Sequence, residues 1–258
     1  MDKFFYKQAA GITALSARLE DFTYKKHVHQ EYAIGVTLRG IQQYHLDGNL
    51  QLSHQNGVML FNPEQAHDGM AHDESGLEYV MLYIESQLLL KASGEKENVH
   101  FSTPIVYDRR LEQGILNLSD AILSGKDEAL CSELLVSLSD NLLQTDFTTG
   151  HKKDNSLIRQ AKELLHANSE QLLKLDETAK ELNLSKFQFI RFFKAHTGIS
   201  PYQYYLNCKI ERAKQLIEKN RDVYSAVADC GFADLTHLNK HFKSVYRTTA
   251  FGYMTQLK

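Results

Sequence analysis

Toward the end of the chain one pattern is written twice. TAKELNLSKFQFIRFFK, from Thr178, aligns with AVADCGFADLTHLNKHFK, from Ala226. Ala179 then pairs with Ala228, Phe189 with Leu238, Arg191 with Lys240, Phe193 with Phe242 and Lys194 with Lys243, all at one offset of 49 residues. A constant offset across small, apolar, basic and aromatic positions marks an internal duplication. Each copy reads as a helix, a tight turn and a second helix with a cationic outer face. One such unit enters one major groove, and two in a single chain can read successive grooves from one side of a duplex.

Charge supports the same partition. From Lys152 onward there are 18 Lys and Arg against 11 Asp and Glu, whereas the preceding residues hold 11 against 21. A basic half beside an acidic half fits a nucleic-acid module joined to a separate sensing or assembly module. At 258 residues the chain is long enough for two cores. Its start, MDKFFYKQAAGITALSARLEDF, has no long apolar segment behind the lysines, so no secretory signal is expected. No apolar run approaches a membrane span. Cys131, Cys208 and Cys230 are far apart and form no C-x-x-C pair. They are read as reduced, buried thiols of a cytoplasmic chain.

Residues 10–105 are rich in short β-type runs: EYAIGVTLRG, IQQYHLDGNLQL, GVMLFNP and LEYVMLYI. Turn signals at Gly40, Asp47-Gly48-Asn49, Gly57 and Ser75-Gly76 separate them, which argues for a small sandwich or barrel. Helical periodicity begins after Pro104. Leu111, Ile115, Leu118 and Ile122 form one stripe, and Leu130, Leu134, Leu138 and Leu142 another, with a turn at 124–127. This hairpin is expected to bury its stripes on the barrel and to add a subunit contact. DFTTGHKKDN is polar and aperiodic and reads as a linker. The expected fold class is α+β multidomain: a barrel over 1–107, a helical hairpin over 108–146, a linker over 147–156, and an all-α domain over 157–258.

In the first repeat Ser185 and Gln188 form a capping box, and Asp234 takes the capping place in the second. These caps matter because the N-terminal turn of a recognition helix meets the base edges. Phe189, Phe192 and Phe193 recur at helical spacing and are expected in the core, as are Leu238 and Phe242. That leaves Phe187, Ile190, Arg191 and Lys194 on the outer side of the first helix. Leu235, Thr236, His237, Asn239, Lys240 and Lys243 form the outer side of the second. Arg191 suits a bidentate grip on guanine and Asn239 a pairing with adenine, while Phe187, Ile190 and Leu235 suit thymine methyl groups. Lys186, Lys194, Lys243 and Arg247 suit phosphates, which orient without specifying sequence.

These residues resemble the DNA-binding domain of AraC/XylS-type transcription regulators. SKFQFIRFFKAHTGISPYQYYLNCKIERAKQLI carries the family's positions at Ser185, Arg191, Phe193-Lys194, Gly198, Pro201, Tyr204 and Arg212-Ala213. VADCGFADLTHLNKHFKSVYRTTAFGY carries Gly231-Phe232 and Phe242-Lys243. The resemblance implies base-facing residues at Phe187, Ile190 and Arg191, and again at Leu235, Thr236, His237, Asn239 and Lys240. There are departures. Lys209 stands where the family has arginine, which removes a bidentate fork. Arg247 and Ala250 replace a glycine and a proline, and arginine enters a left-handed turn less cheaply than glycine. A less rigid second repeat is therefore expected.

HVHQEYAIGVTLRG and GVMLFNPEQAHDG resemble the two halves of a cupin-like barrel, which many AraC-type regulators use to bind a small effector. His27, His29 and His67 match metal-binding positions of enzymatic cupins, but Ala33 and Ile34 stand where the glutamate is expected, and Glu31 lies too near His29 in sequence. The expectation is an effector site at the barrel mouth built on His27, His29 and His67, with no metal and no cofactor. The resemblance implies a non-enzymatic, homodimeric regulator, an activator by analogy, acting on double-stranded promoter DNA, with RNA polymerase a further partner and no membrane association. Two alternatives stay open at this stage: a metal-dependent cupin enzyme fused to a DNA-binding domain, and a regulator without an effector.

Overall fold

Strands buried on both faces organise the first half of the computed structural model, which describes residues 2–20, 23–144, 147–149, 156–170 and 173–257. Nine strands come first: β1 (Lys3–Ala9), β2 (Ile12–Leu19), β3 (Thr23–His27), β4 (Tyr32–Arg39), β5 (Gln42–Leu46), β6 (Asn49–Ser53), β7 (Val58–Phe61), β8 (His67–Ala71) and β9 (Leu77–Ile84). Helix α1 (Ser86–Ser93) and the short strands β10 (Val99–Phe101) and β11 (Ile105–Val106) lead into α2 (Arg109–Leu123) and α3 (Glu128–Leu142), followed by β12 (Phe147–Thr149). The strands build a six-stranded sheet, β1-β2-β9-β4-β7-β11, and a four-stranded sheet, β3-β8-β5-β6. Central pairing is antiparallel and in register, with Ile34 opposite Leu82 and Val36 opposite Val80. A Thr37–Ser53 hydroxyl hydrogen bond of 2.8 Å and a Tyr44–Phe61 ring contact tie the two sheets face to face.

Because side chains alternate along a strand, β9 serves two cores. Val80, Leu82 and Ile84 join Ile12, Ile34 and Val36 in an apolar layer completed by Leu111, Ile115, Leu118 and Ile122 of α2. Tyr79, Met81 and Tyr83 are also buried, on the alternate positions that face the second sheet. The hairpin thus packs on the outer face of the larger sheet. Its second stripe differs from expectation: Cys131, Leu135, Leu138 and Leu142 are buried, whereas Leu130 is 42% exposed. A run of i, i+4 steps drifts by about 40° per step around an α-helix, so a face of fixed direction needs alternating steps of three and four. Residues 147–149, expected in the linker, pair as β12 with β10. Residues 150–155 of that linker lie outside the described residues, and its last residue, Ser156, already opens a helix.

The second half is helical: α4 (Ser156–Ala167), a 3-10 turn at Asn168–Glu170, α5 (Leu175–Glu181), α6 (Lys186–Thr197), α7 (Pro201–Asn220), α8 (Val223–Asp229), α9 (Leu235–Tyr246) and α10 (Ala250–Gln256). The chain divides into two compact units, one of residues 1–24, 29–152 and 256–258, the other of 153–255 with the short segment 25–28. Strand β3 keeps its place in the four-stranded sheet. In the helical unit the long helix α7 starts at an N-cap, Ser200, whose side chain accepts from Gln203 N–H, with Pro201 in the first turn. Around it pack two aromatic clusters. One joins Phe189, Phe193 and Tyr204; the other joins Phe242, Tyr246 and Tyr253. Among the described residues no helix is long and apolar enough to cross a membrane.

Candidate nucleic-acid interface and barrel interior

The two repeats superpose cap for cap along their second helices. The N-caps Ser185 and Asp234, the helix starts Lys186 and Leu235, and the helix ends Thr197 and Tyr246 all keep the sequence offset. The C-caps Gly198 and Arg247 also correspond, and both are left-handed, at φ 76° and 60°. Arg247 therefore adopts the conformation that its residue type disfavours. Its guanidinium donates to Lys243 O at 3.1 Å, across the last turn of α9. That places it at the helix end rather than reaching away from the protein.

The leading helices keep a different offset. Ala179 is buried but Ala228 is exposed, so the pairing of those two alanines is corrected: Thr178 and Leu182 correspond to Ala226 and Cys230, all buried. The turn bonds agree, since Leu184 N–H donates to Ala179 O as Phe232 N–H donates to Val227 O. The second turn consequently holds one more residue than the first, Ala233.

Outward side chains form one matched stripe. Phe187, Arg191 and Lys194 are exposed on α6, Phe187 at 66%. Thr236, Lys240 and Lys243 occupy the same three places on α9 and are exposed as well. Ile190, Leu235, His237 and Asn239 are half-buried. Phe192, expected in the core, is half-buried and leans on His196. Lys186 is already engaged, its ammonium 3.0 Å from Asp176 and over the Phe187 ring. Asn239 needs a further correction. Its Oδ1 accepts from Ala250 N–H at 2.8 Å, so the carboxamide closes the turn into α10 instead of offering adenine a free bidentate edge.

Lys209 takes up its own role in α7. It is buried, donates to Gly231 O at 3.0 Å, and stands over the Tyr205 and Phe232 rings. Burial lowers its pKa below the usual lysine value. The single ammonium thus clamps the left-handed residue of the second turn. His241 is lowered too, first by burial and then by the charges of His237, Lys240 and Lys209.

In the barrel, His27 ends β3 and His67 begins β8, with the His67 ring 5.5 Å from that of His29. All three are buried, at 5–8% exposure. His27 Nδ1 donates to Lys25 O at 2.7 Å and His67 Nδ1 to Gln65 O at 2.8 Å. With Nδ1 protonated, neutral rings keep a lone pair on Nε2, able to accept from a polar ligand or to hold a cation. Ala33 lies buried on β4 and supplies no carboxylate, while Glu31 brings an oxygen within 4.8 Å of His29.

Sequence reasoning missed the tyrosines of this interior. The His29 ring lies 4.9 Å from Tyr83, and the Tyr24 and Tyr79 hydroxyls share a 2.7 Å hydrogen bond. Burial raises the Tyr24 phenol well above its ordinary range, so it stays a neutral donor or acceptor. The period-two spacing of Tyr79, Met81 and Tyr83 was the available signal. At the rim of the same barrel a cleft of about 160 Å³ is lined by Asp47, Gln51, Gln65, Phe101 and Ser102. That volume suits a small ligand, since drug-sized molecules need roughly 300 Å³ or more.

A sheet-rich domain followed by two helix-turn-helix units on one helical scaffold defines a DNA-binding regulator. Comparison with known proteins agrees. Residues 9–139 match the AraC-like ligand binding domain and residues 178–256 a helix-turn-helix domain. The HTH-type transcriptional regulator YbfI of Bacillus subtilis is 23% identical over 83% of this chain and 81% of its own. The HTH-type transcriptional regulator ArgR of Pseudomonas aeruginosa is 28% identical over 54% of this chain, which spans 45% of that protein. ToxT from Vibrio cholerae O395 shares the fold, with a TM-score of 0.61 at 10% identity over 96% of this chain and 98% of its own. The unsaturated fatty acid-bound form of ToxT gives a TM-score of 0.62 at 11% identity, over 100% and 95%. The chain belongs to the AraC family of transcription regulators, with an N-terminal ligand-binding domain and a C-terminal helix-turn-helix domain.

Proposed function

We propose that this regulator binds double-stranded promoter DNA through α6 and α9 and answers to a small polar effector held in its barrel. The observation that carries the first part is the matched stripe. Phe187, Arg191 and Lys194 stand where Thr236, Lys240 and Lys243 stand in the second unit, and all six are exposed on the two recognition helices. Arg191 and Lys240 reach bases, Lys194 and Lys243 reach phosphates, and Phe187, Ile190 and Leu235 meet thymine methyl groups. His237 and Thr236 complete the reading surface. Lys186 joins it by exchanging Asp176 for a phosphate. Asn239 contributes its amide N–H alone.

Effector recognition rests on His27, His29 and His67, whose imidazoles suit a polar group on the ligand. ToxT, which shares the fold, has an unsaturated fatty acid-bound form, and this supports the idea that a protein of this kind takes up a small organic molecule. The protein acts as a cytoplasmic homodimer without catalytic turnover. The exposed Leu130 and Val136 on α3 supply apolar surface for the second subunit. Activation through contact with RNA polymerase is the mode favoured by the family resemblance. An effector acts only through a difference in affinity between two states of the protein, so the site must be tested by response and not by binding alone. His29→Ala and His67→Ala should abolish the transcriptional response to a metabolite that raises the melting temperature of the parent, while leaving DNA binding intact. Variants that respond as the parent does would move the effector site elsewhere. Stoichiometric metal with a measurable turnover, both lost in these variants, would replace the regulator reading of the barrel with an enzymatic one.

A further inference from the structure

Ala233, the additional residue of the second turn, brings with it a backbone N–H that has no counterpart in the first turn. The left-handed residues Asn183 and Gly231, at φ 56° and 62°, mark the same place in each turn. Between them and the N-caps Ser185 and Asp234, only the second unit has the extra peptide. Its N–H donates to His237 Nδ1 at 3.3 Å. His237 is the third residue of α9, the place Gln188 fills in α6, where Gln188 Oε1 accepts from Ser185 N–H at 2.9 Å. Both side chains thus accept from backbone just ahead of their helix, but the histidine does so with a ring nitrogen. A ring nitrogen that accepts carries no proton, and a neutral imidazole has one N–H only. The proton must sit on Nε2. Phe232 meets the ring edge-on at 5.4 Å and His241 lies 5.0 Å away, which holds its orientation from both sides.

We infer that His237 is a specificity-determining residue of fixed polarity: it presents Nε2–H to the major groove and selects a base edge made of acceptors, guanine before any other. Guanine offers two acceptors there, N7 and O6, whereas adenine pairs its N7 with the N6 donor, thymine pairs its O4 with a methyl group, and cytosine turns its N4 donor toward a donor. With the proton on Nδ1 the preference would be reversed, so the inserted Ala233 peptide decides which base the helix can read. This inference rests on the DNA-reading function proposed above and adds the sign and identity of one contact.

The full-length protein and its selected duplex provide the test. His237→Asn places Oδ1 where Nδ1 stood, so it keeps the Ala233 bond, while its Nδ2–H2 stops short of the place that Nε2–H reached. It should melt as the parent does. At one base pair of the second half-site it should lose an approximately three- to tenfold preference for guanine, the worth of one hydrogen bond. Replacing that guanine by 7-deazaguanine should weaken the parent by a similar factor and leave His237→Asn unaffected, a result that a merely structural histidine cannot produce. His237→Gln, with an amide N–H of longer reach, should recover part of the preference. The inference is overturned if His237→Asn keeps the guanine preference, if the position prefers cytosine, adenine or thymine, or if the deaza substitution weakens parent and variant alike. Should the parent discriminate nowhere in the second half-site, base reading by α9 itself fails, and this inference with it.

Discussion

The first and second helix-turn-helix units share a backbone and differ in almost everything that holds it. The first turn is closed by a Ser185–Gln188 capping box, the second by Asp234 together with His237. The first recognition helix ends on Gly198, the second on Arg247 in the same left-handed conformation. Among the described residues, the second alone has a buried lysine clamping its turn. Duplication therefore conserves the geometry that sets a helix in a groove, while caps and clamps are free to change provided each orphan backbone group finds a partner. What stays matched is the outer stripe of three side chains, which is where the two units must meet the same polymer.

If both stripes hold phosphates, the largest effect will be electrostatic. Affinity of residues 152–258 for duplex DNA should fall by roughly three to five decades between 50 and 200 mM salt, given six to ten phosphate contacts. Lys194→Ala and Lys243→Ala should each lower the salt slope by about one and weaken all sequences alike. A change in one variant only would break the symmetry between the units. Next come the two aromatic anchors. Phe193→Ala and Phe242→Ala, both fully buried, should each cost about 3–5 kcal/mol in denaturant unfolding. A loss much smaller at one of them would show that its unit does not share the cooperative core.

The C-caps sharpen the comparison by sign. Gly198→Ala should destabilise by about 1–2 kcal/mol, because an L side chain pays that cost in the left-handed region. Arg247→Gly should stabilise by about 1 kcal/mol or less, since relief of the same strain is offset by loss of the bond to Lys243 O. Equal signs would contradict the equivalence of the two caps. Acid gives the smallest difference. His241 has its pKa lowered by burial and by neighbouring positive charge, so the unfolded chain takes up the proton first. Its stabilising share is complete above the ordinary histidine pKa and is lost as pH falls below about 6.5. The first unit has Phe192 at that place. His241→Phe should therefore reduce the drop in Tm between pH 7 and 5.5.

Much of this was legible in the sequence, and the failures are physical. Caps at Ser185 and Asp234 and the anchors Phe189, Phe193, Leu238 and Phe242 follow from spacing alone, because local hydrogen bonds and periodicity decide them. The Ala179–Ala228 pairing failed because a single offset was carried across a turn that holds an extra residue. The Leu130 stripe failed because leucines four apart look regular in text but rotate around a helix. Asn239 was misjudged because its partner, the Ala250 N–H, lies eleven residues on, where no local rule reaches. In the barrel the tyrosines Tyr24 and Tyr79 escaped notice because their hydroxyl contact joins residues 55 apart, which only the folded sheets bring together.

Selection of binding sites from random duplexes by the intact protein tests most directly whether the two units read one duplex from one side. It should return a site with two specified segments spaced by about one helical turn, roughly 10–10.5 base pairs centre to centre. Repeating the selection with Arg191→Ala should blur one base position in the segment read by α6, at a cost of about 1–3 kcal/mol there, and leave the other segment intact. A single uninterrupted segment, or an Arg191→Ala site identical to the parent's, would contradict one-sided reading by two units.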